Sequence, residues 1–436
     1  MRKMALEIVK ELREHGFETY WAGGCVRDLL MRREPKDYDI VTSAKPEEIE
    51  EILERTVPVG KKFGVILAIR GEYQFEIATF RSDSGYSDGR RPDAILFSNP
   101  KEDAIRRDFT VNGMFYDPVD KKVIDFVEGQ KDLKNKTLRF IGDSEKRIQE
   151  DHLRILRAIR FKNALKFQYA PGTLEAIKKN VNLINTVSKE RVGEELNKIL
   201  LLPGRENAFT EMEKTGILKE ILPELCELKG VRQPEKYHKE GDVFVHTTMA
   251  LEALPDKVTP EVAWATLLHD VGKPATFKVK GRIRFNGHAE KGAEIVGQIG
   301  KRLRLSKNFI ENVKWLVERH MTIGDFLKMK PTRMAYWINH PLFDDLLEVH
   351  RADALGSKPQ DLGLYNRLKK LIKQRDEKLL PEPEILITGK EIMEEFKIPE
   401  GPFVGELLEA VRQAQMNEEI TTKREAEEFI KSQLKK

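Results

Sequence analysis

Gly23-Gly-Cys-Val-Arg-Asp-Leu-Leu-Met-Arg-Arg-Glu-Pro-Lys-Asp-Tyr-Asp-Ile-Val41 is the stretch on which the reading of this 436-residue chain turns. It follows a strand-like run, Thr19–Ala22, and leads into an apolar helix at Leu29, Leu30 and Met31. A Gly pair at a strand-to-helix turn lets backbone N–H groups approach phosphate oxygens, and a helix N-terminus favours negative charge. Arg27 can add a bidentate phosphate contact. Tyr38–Thr42 reads as the next strand, in which side chains at i and i+2 share a face. Asp37 and Asp39 are therefore expected to point together while Tyr38 and Ile40 face the core. Two adjacent solvent-facing carboxylates repel unless a cation sits between them, and Mg2+ with oxygen ligands is the natural occupant. One such pair can hold two metals for in-line phosphoryl transfer.

Working outward, residues 4–15 carry Met4, Leu6, Ile8, Val9 and Leu12 at helical spacing. Further strands are predicted at Val65–Arg70, Phe75–Phe80, Met114–Asp117 and Val123–Phe126, with Gly and Pro between them. From about residue 145 the strand signal largely disappears and helical spacing takes over. The expected fold is α+β: a mixed-sheet N-terminal third followed by nearly all-α regions. Turn-rich boundaries fall at Ile141-Gly-Asp-Ser144, Leu202-Pro-Gly204, Arg232-Gln-Pro-Glu235 and Leu380-Pro-Glu-Pro383. Lys+Arg 76 against Asp+Glu 72 leaves +4, so overall charge alone argues for no polyanionic partner. Cys25 and Cys226 form no CxxC pair, which disfavours disulfide scaffolds and thiolate zinc sites and fits a reducing cytoplasm. No apolar run approaches the ~20 residues of a membrane span, and the first residues lack a signal-peptide profile.

Further along comes Arg106-Arg-Asp-Phe-Thr-Val-Asn112. Here Arg107 is a candidate triphosphate contact, and Asn112 can bind a sugar or fix a loop. Glu150-Asp-His-Leu-Arg-Ile-Leu-Arg-Ala-Ile-Arg160 reads as one helix with Asp151, Arg154, Arg157 and Arg160 each three apart. An Asp acceptor with an Arg donor can read the Watson–Crick edge of an unpaired base. Taken in order with Gly129-x-x-Asp132-Leu and Ser188-Lys-Glu-Arg191, these motifs resemble class II CCA-adding tRNA nucleotidyltransferases and their sisters, the bacterial poly(A) polymerases. The resemblance covers roughly residues 20–200. It implies a DNA polymerase beta-like head in which Asp37 and Asp39 bind the catalytic Mg2+ ions, with Gly24, Arg27 and Arg107 at the NTP. Asp151 and Arg154 would select CTP and then ATP without a nucleic-acid template, assisted by Arg157 and Arg160. Glu76, on a strand, is the candidate third carboxylate. The Gly-rich segment Ser82–Pro92 resembles the family's flexible loop, associated with the switch from C to A addition. Ser144 and His152 stand where the family usually has Pro.

A second constellation lies in the helical region: His246, His269-Asp270, His288, His320 and Asp353. Imidazole with carboxylate suits a transition metal or Mg2+. The order resembles the HD phosphohydrolase superfamily, which implies His246, His269, Asp270 and Asp353 as metal ligands. His288 and His320 would belong to an extended, binuclear set, and Lys273 would steady a phosphate. A metal-free scaffold for tRNA is the competing reading.

These resemblances imply a head at 1–142, a neck at 143–204 with nucleobase-recognition and RNA-binding helices, an HD-type domain at 205–375 and a helical tail at 376–436. The implied activity is addition or repair of the 3′-terminal CCA of tRNA from CTP and ATP. The rival readings are an enzyme adding only CC or only A, a poly(A) polymerase, and a chain acting mainly as an HD hydrolase on RNA ends.

Overall fold

The computed structural model describes residues 1–85, 89, 94–235, 238–376, 385–417 and 419–434. Residues 86–88 and 90–92 of the Ser82–Pro92 segment lie outside the described residues, as does the boundary at 380–383. The chain falls into two compact units, Met1–Pro223 and Glu224–Lys436.

In the first unit, helix Arg2–Glu14 buries Ala5, Ile8, Val9 and Leu12, the stripe that its spacing predicts. Strands follow: β1 (Thr19–Ala22), β2 (Asp39–Thr42), β3 (Thr56–Val57), β4 (Val65–Arg70), β5 (Tyr73–Thr79), β6 (Arg81–Ser84), β7 (Ala94–Phe97), β8 (Phe115–Asp117) and β9 (Lys122–Ile124). Seven of them form one sheet in the order β3-β4-β5-β2-β1-β8-β9, while β6 and β7 pair separately. Strand alternation sends Trp21, Ile40 and Ile77 into the core shared with the first helix, where the Trp21 indole donates to the Ala5 carbonyl at 3.3 Å. Ala22, Val41 and Phe115 pack on the opposite face with Phe80.

β2 and β5 run parallel with Ile40 opposite Ile77, which sets Asp39 level with Glu76. The expected strand is corrected at its start, because β2 begins at Asp39 and Asp37 lies two residues before it. Tyr38 is buried all the same, stacked edge-on against Trp21 at 4.7 Å.

The single helix expected over Glu150–Arg160 is also corrected. Helix Ser144–Glu150 ends at Asp151, whose backbone is extended (φ −144°, ψ 105°). A new helix runs Arg154–Leu165, so Asp151 does not continue the arginine row. The physical reason is a pair distant in sequence: the Asp151 carboxylate accepts from Arg191 at 2.9 and 3.1 Å and from the Leu153 N–H at 3.2 Å. Beyond it β10 (Thr137–Leu138) pairs in parallel with β11 (Gln168–Tyr169), and helices Lys189–Leu200 and Arg205–Thr215 complete the unit's regular core.

The second unit is helical around Val243–Glu252, Pro260–Leu268, His288–Arg302, Lys307–Arg319 and Phe343–Gly356. It carries one hairpin that the fading strand signal does not anticipate, β12 (Lys278–Lys280) with β13 (Arg282–Arg284). Helices Gly389–Phe396, Pro402–Met416 and Lys423–Gln433 close a small core of their own around Ile392, Leu407, Val411 and Ile430. No helix among the described residues is long and apolar enough to cross a membrane.

Ile40 is fully buried directly beside Asp39. Ile40→Ala is expected to destabilise the first unit by about 2–5 kcal/mol, measured as a lowered urea midpoint of the near-ultraviolet signal to which Trp21 contributes.

Candidate functional site

The Gly-Gly turn and the acidic pair meet at the sheet centre. Gly23 sits in the left-handed region (φ +72°), and a Cβ there would lie 3.1 Å from Arg107 Nη1 and 3.7 Å from Asp39 Oδ2. A side chain has no room at this point, so backbone, cation and carboxylate stay within one small volume. Asp103, fully buried, accepts Nε and Nη2 of Arg107 at 3.1 and 3.0 Å and the same two atoms of Arg106 at 2.9 and 2.6 Å. That grip leaves Arg107 Nη1 as the atom nearest the turn. Burial, then the neighbouring charges of Asp37 and Glu76, push the Asp39 carboxyl up to about 6, while Arg107 pulls the other way. Asp37 and Glu76 are exposed. The acidic trio therefore opens to solvent, as a site for hydrated cations and a triphosphate requires.

Behind the turn runs a buried polar chain. Arg27 Nη1 donates to Asn112 Oδ1 at 2.7 Å, and Arg27 Nε to Asp28 at 2.9 Å. The Asn112 amide donates to Asp108 Oδ1 at 3.4 Å, and Arg157 donates through Nε and Nη2 to Asp108 Oδ2 at 2.8 and 2.5 Å. Burial alone would raise the Asp108 carboxyl, but Arg157 and Arg154 hold it below the ordinary value. The guanidiniums of Arg27, Arg157 and Arg160 lie 5.4, 5.3 and 4.1 Å from the centre of the Phe161 ring. Asn112 is thus tied to Arg27 on one side and Asp108 on the other.

The proposed base readers are already engaged. Arg154 donates to the carbonyls of Arg147 and Arg106 at 2.8 and 3.1 Å and to Glu150 at 2.8 Å. Arg160 donates to the buried Glu195 at 2.5 Å, and Asp151 holds Arg191. Asp151 and Arg154 thus each have protein partners for their polar atoms. His152 is set between two segments. Its N–H donates to the Gly89 carbonyl at 3.2 Å, a bond a proline could not make, and its Nδ1 lies 2.5 Å from Thr186 Oγ1. Asp103 and Glu195 were missed in the sequence. Asp103 had a local signal, lying three and four residues ahead of two arginines, whereas Glu195 had none.

In the second unit every expected residue converges. His246 Nε2 lies 3.1 Å from His269 Nε2 and 3.0 Å from Asp353 Oδ1. His288 Nε2 lies 3.3 Å from His320 Nε2 and 3.5 Å from Asp270 Oδ1. Asp270 joins the two sets, since its Oδ2 is 3.3 Å from His269 Nε2 and accepts from Lys273 Nζ at 2.6 Å. The Nδ1 atoms of His269, His288 and His320 face the carbonyls of Thr266, Phe285 and Val317 at 2.8, 2.8 and 2.6 Å. With a carbonyl as partner Nδ1 must donate, which in the neutral ring leaves a lone pair on Nε2, the form that burial favours for His288 and His320. Facing lone pairs cannot hydrogen-bond each other, and a shared cation resolves the conflict. The donor groups fit a divalent metal: His246, His269 and Asp353 in one set, and Asp270, His288 and His320 in the other.

Burial and His269 drive the His320 ring down to about 3. Burial also disfavours charge on His246, yet hydrogen bonds to Asp353 and Glu240 hold it up at about 9. Glu240, whose side chain is fully buried, lies 3.2 Å from His246 Nδ1 and 2.7 Å from His238 Nδ1. Both belong to an irregular segment with no motif to mark them. Gly272 sets how closely the helix bearing His288 approaches the segment bearing Asp270, because a Cβ there would fall 2.1 Å from the His288 carbonyl.

Comparison with known proteins follows this division. Residues 19–139 match the Poly A polymerase head domain, 166–229 the probable RNA and SrmB-binding site of polymerase A, and 245–355 the HD domain. A CCA-adding enzyme of Lactobacillus johnsonii is 43% identical over 218 residues, a match spanning 50% of this chain and 54% of that relative. In that match the chain thus spans about half the relative's length. The match to a CCA-adding enzyme of Lactococcus lactis subsp. lactis is 32% identical over 426 residues, covering 97% of this chain and 95% of the relative. The crystal structure of the Bacillus stearothermophilus CCA-adding enzyme in complex with CTP superposes with a TM-score of 0.65 at 26% identity, covering 99% of this chain and 98% of that one. With near-complete coverage in both sequence and structure, the chain belongs to the CCA-adding enzymes, a family of nucleotidyltransferases.

Proposed function

We propose that this protein adds or repairs the 3′-terminal CCA of tRNA from CTP and ATP, without a nucleic-acid template. The observation that carries the reading is the packing of Gly23, Arg107 and Asp39 into one volume beside Asp37 and Glu76. Asp37 and Asp39, with Glu76 beside them, would hold Mg2+, which supplies charge neutralisation for the triphosphate and lowers the pKa of the attacking hydroxyl. Gly24 opens a helix whose first N–H groups face an incoming phosphate. Arg107, gripped by Asp103, presents Nη1 to the triphosphate. The RNA 3′-oxygen forms a bond to the α-phosphorus of CTP or ATP, the α–β bridging bond breaks, and pyrophosphate leaves. Arg27 and Asn112 brace the turn from behind, while Arg157 and Arg160 set the helix that carries Arg154.

The division read from the sequence is head (1–142), neck (143–204), HD domain (205–375) and tail (376–436); the head and HD matches at 19–139 and 245–355 fall inside it, while the RNA-binding match at 166–229 runs past residue 204. A cytoplasmic setting agrees with a chain in which no disulfide joins Cys25 and Cys226.

A second activity is favoured by the facing Nε2 atoms. We infer that the histidine cluster binds divalent metal and hydrolyses a phosphoester at an RNA end, terminal or 2′,3′-cyclic. Lys273, held by Asp270 and by Gln233 at 2.6 Å each, would steady the phosphate.

Incubation with tRNA lacking the terminus, ending in C or ending in CC, each with single NTPs, tests the first reading. Stepwise completion to CCA is expected. Growth confined to CC or to A identifies a partial enzyme, and an adenylate run identifies a poly(A) polymerase. Asp39→Ala is expected to abolish CTP and ATP incorporation while leaving the near-ultraviolet spectrum intact, and retained incorporation overturns the metal assignment. Arg154→Ala is expected to relax selection against UTP and GTP by roughly 10- to 100-fold, on the scale of about 1–3 kcal/mol for a paired base contact, as read from single-nucleotide incorporation rates. For the cluster, Mn2+ is expected to raise the unfolding temperature of the wild type but not of His269→Ala. Phosphate release from a cyclic-phosphate dinucleotide should persist in Asp37→Ala and vanish in Asp270→Ala.

A further inference from the structure

Between the cluster residues Asp270 and His288 the chain runs Phe277-Lys-Val-Lys-Gly-Arg-Ile-Arg-Phe285, with cations and apolar residues alternating symmetrically about Gly281. No acidic residue occurs from Val271 to Ala289. This stretch is the β12–β13 hairpin, in which Lys278 stands opposite Arg284 and Lys280 opposite Arg282. Residues directly opposite in an antiparallel pair share a face, so all four cations project from one side of the ribbon. All four are exposed, and among the described residues none has a carboxylate within 4 Å. Like charges set directly opposite each other destabilise a hairpin. Charges on an exposed edge guard against pairing with another chain, and two stacked cation pairs also complement a polyanion.

The ribbon is fastened to the histidine cluster. The Phe285 carbonyl takes the Nδ1 proton of His288 at 2.8 Å, and Lys273 Nζ lies 5.2 Å from the centre of the Phe285 ring. Phe277, part-exposed, packs on Phe285 at 5.8 Å and leaves an aromatic surface at the base of the hairpin. These rings take positions alternate to the four cations and hold the base of the ribbon against Lys273, which leaves the cation face free to follow the phosphates of a strand. The two cation pairs lie about 7 Å apart along the strands, a spacing that suits neighbouring phosphates of an extended chain.

We infer that this hairpin is an RNA-docking surface, seating the strand whose 3′-phosphate end enters the histidine cluster. The inference rests on reading that cluster as a phosphoester-hydrolysing centre, and it names the substrate as an oligonucleotide end rather than a free nucleotide.

The test uses the full-length protein and its Lys278→Ala/Lys280→Ala/Arg282→Ala/Arg284→Ala variant. The probes are a short RNA ending in a 2′,3′-cyclic phosphate, with 4-thiouridine near that end, and a 2′,3′-cyclic mononucleotide. Ultraviolet crosslinks are expected within residues 273–288 of the wild type and are expected to be lost in the variant. The slope of log affinity against log salt should flatten by about 3, four phosphate contacts at ~0.7 each. KM for the oligonucleotide should rise by roughly tenfold or more, with kcat on the mononucleotide unchanged. Crosslinks that avoid 273–288, or an unchanged oligonucleotide KM alongside mononucleotide turnover, overturn the docking surface. Crosslinks and a flattened slope with no hydrolysis of either probe uphold the surface and overturn the hydrolytic reading instead.

Discussion

A charge taken out of water has to find its opposite, and the first unit is organised around that constraint. Arg27, Asn112, Asp108 and Arg157 form one continuous buried run, each satisfying the next. Removing any one member strands its neighbour's charge or polar group, which costs far more than the net worth of the interaction itself. The run begins behind the Gly-Gly turn and ends on the Arg154–Leu165 helix. The Gly-Gly turn and the helix that carries Arg154 are therefore held by the same set of hydrogen bonds.

The two centres solve opposite problems with related chemistry. At the sheet centre Asp37 and Glu76 lie open to solvent beside the more buried Asp39, and the nearest cation, Arg107, is restrained by a carboxylate on its far side. In the helical unit the donors are buried and close-packed, with three rings oriented by backbone carbonyls so that their lone pairs meet. The first arrangement suits ions that keep water and arrive with a triphosphate. The second suits an ion that remains with the protein.

Much of this was legible in the chain itself, and what was not has definable causes. Strands β1 and β4 begin and end where the alternation of Thr19–Ala22 and Val65–Arg70 says they should. The histidine cluster assembled from residues more than a hundred positions apart because His-Asp at a helix end is a specific mark. The helix break at Asp151 was invisible because it depends on Arg191, forty residues on, and local periodicity carries no information about that partner. Asp37 fell outside its strand because β1 ends at Ala22, the partner of Asp39, where the chain turns at Gly23 into a helix, although Tyr38 still anchors the segment in the core. Glu240 was missed because an irregular segment has no period to violate. Lys278–Arg284 does alternate, but for only three residues on each side of Gly281, too short a run to stand out in a region read as helical.

Gly272 carries a consequence for how such a centre can be disturbed. The His288 carbonyl fills the space that any side chain at 272 would need, so the approach of the helix bearing His288 to the segment bearing Asp270 is dictated by main chain against main chain. A side chain at 272 would therefore disturb the cluster by prising those two segments apart, without replacing a single ligand.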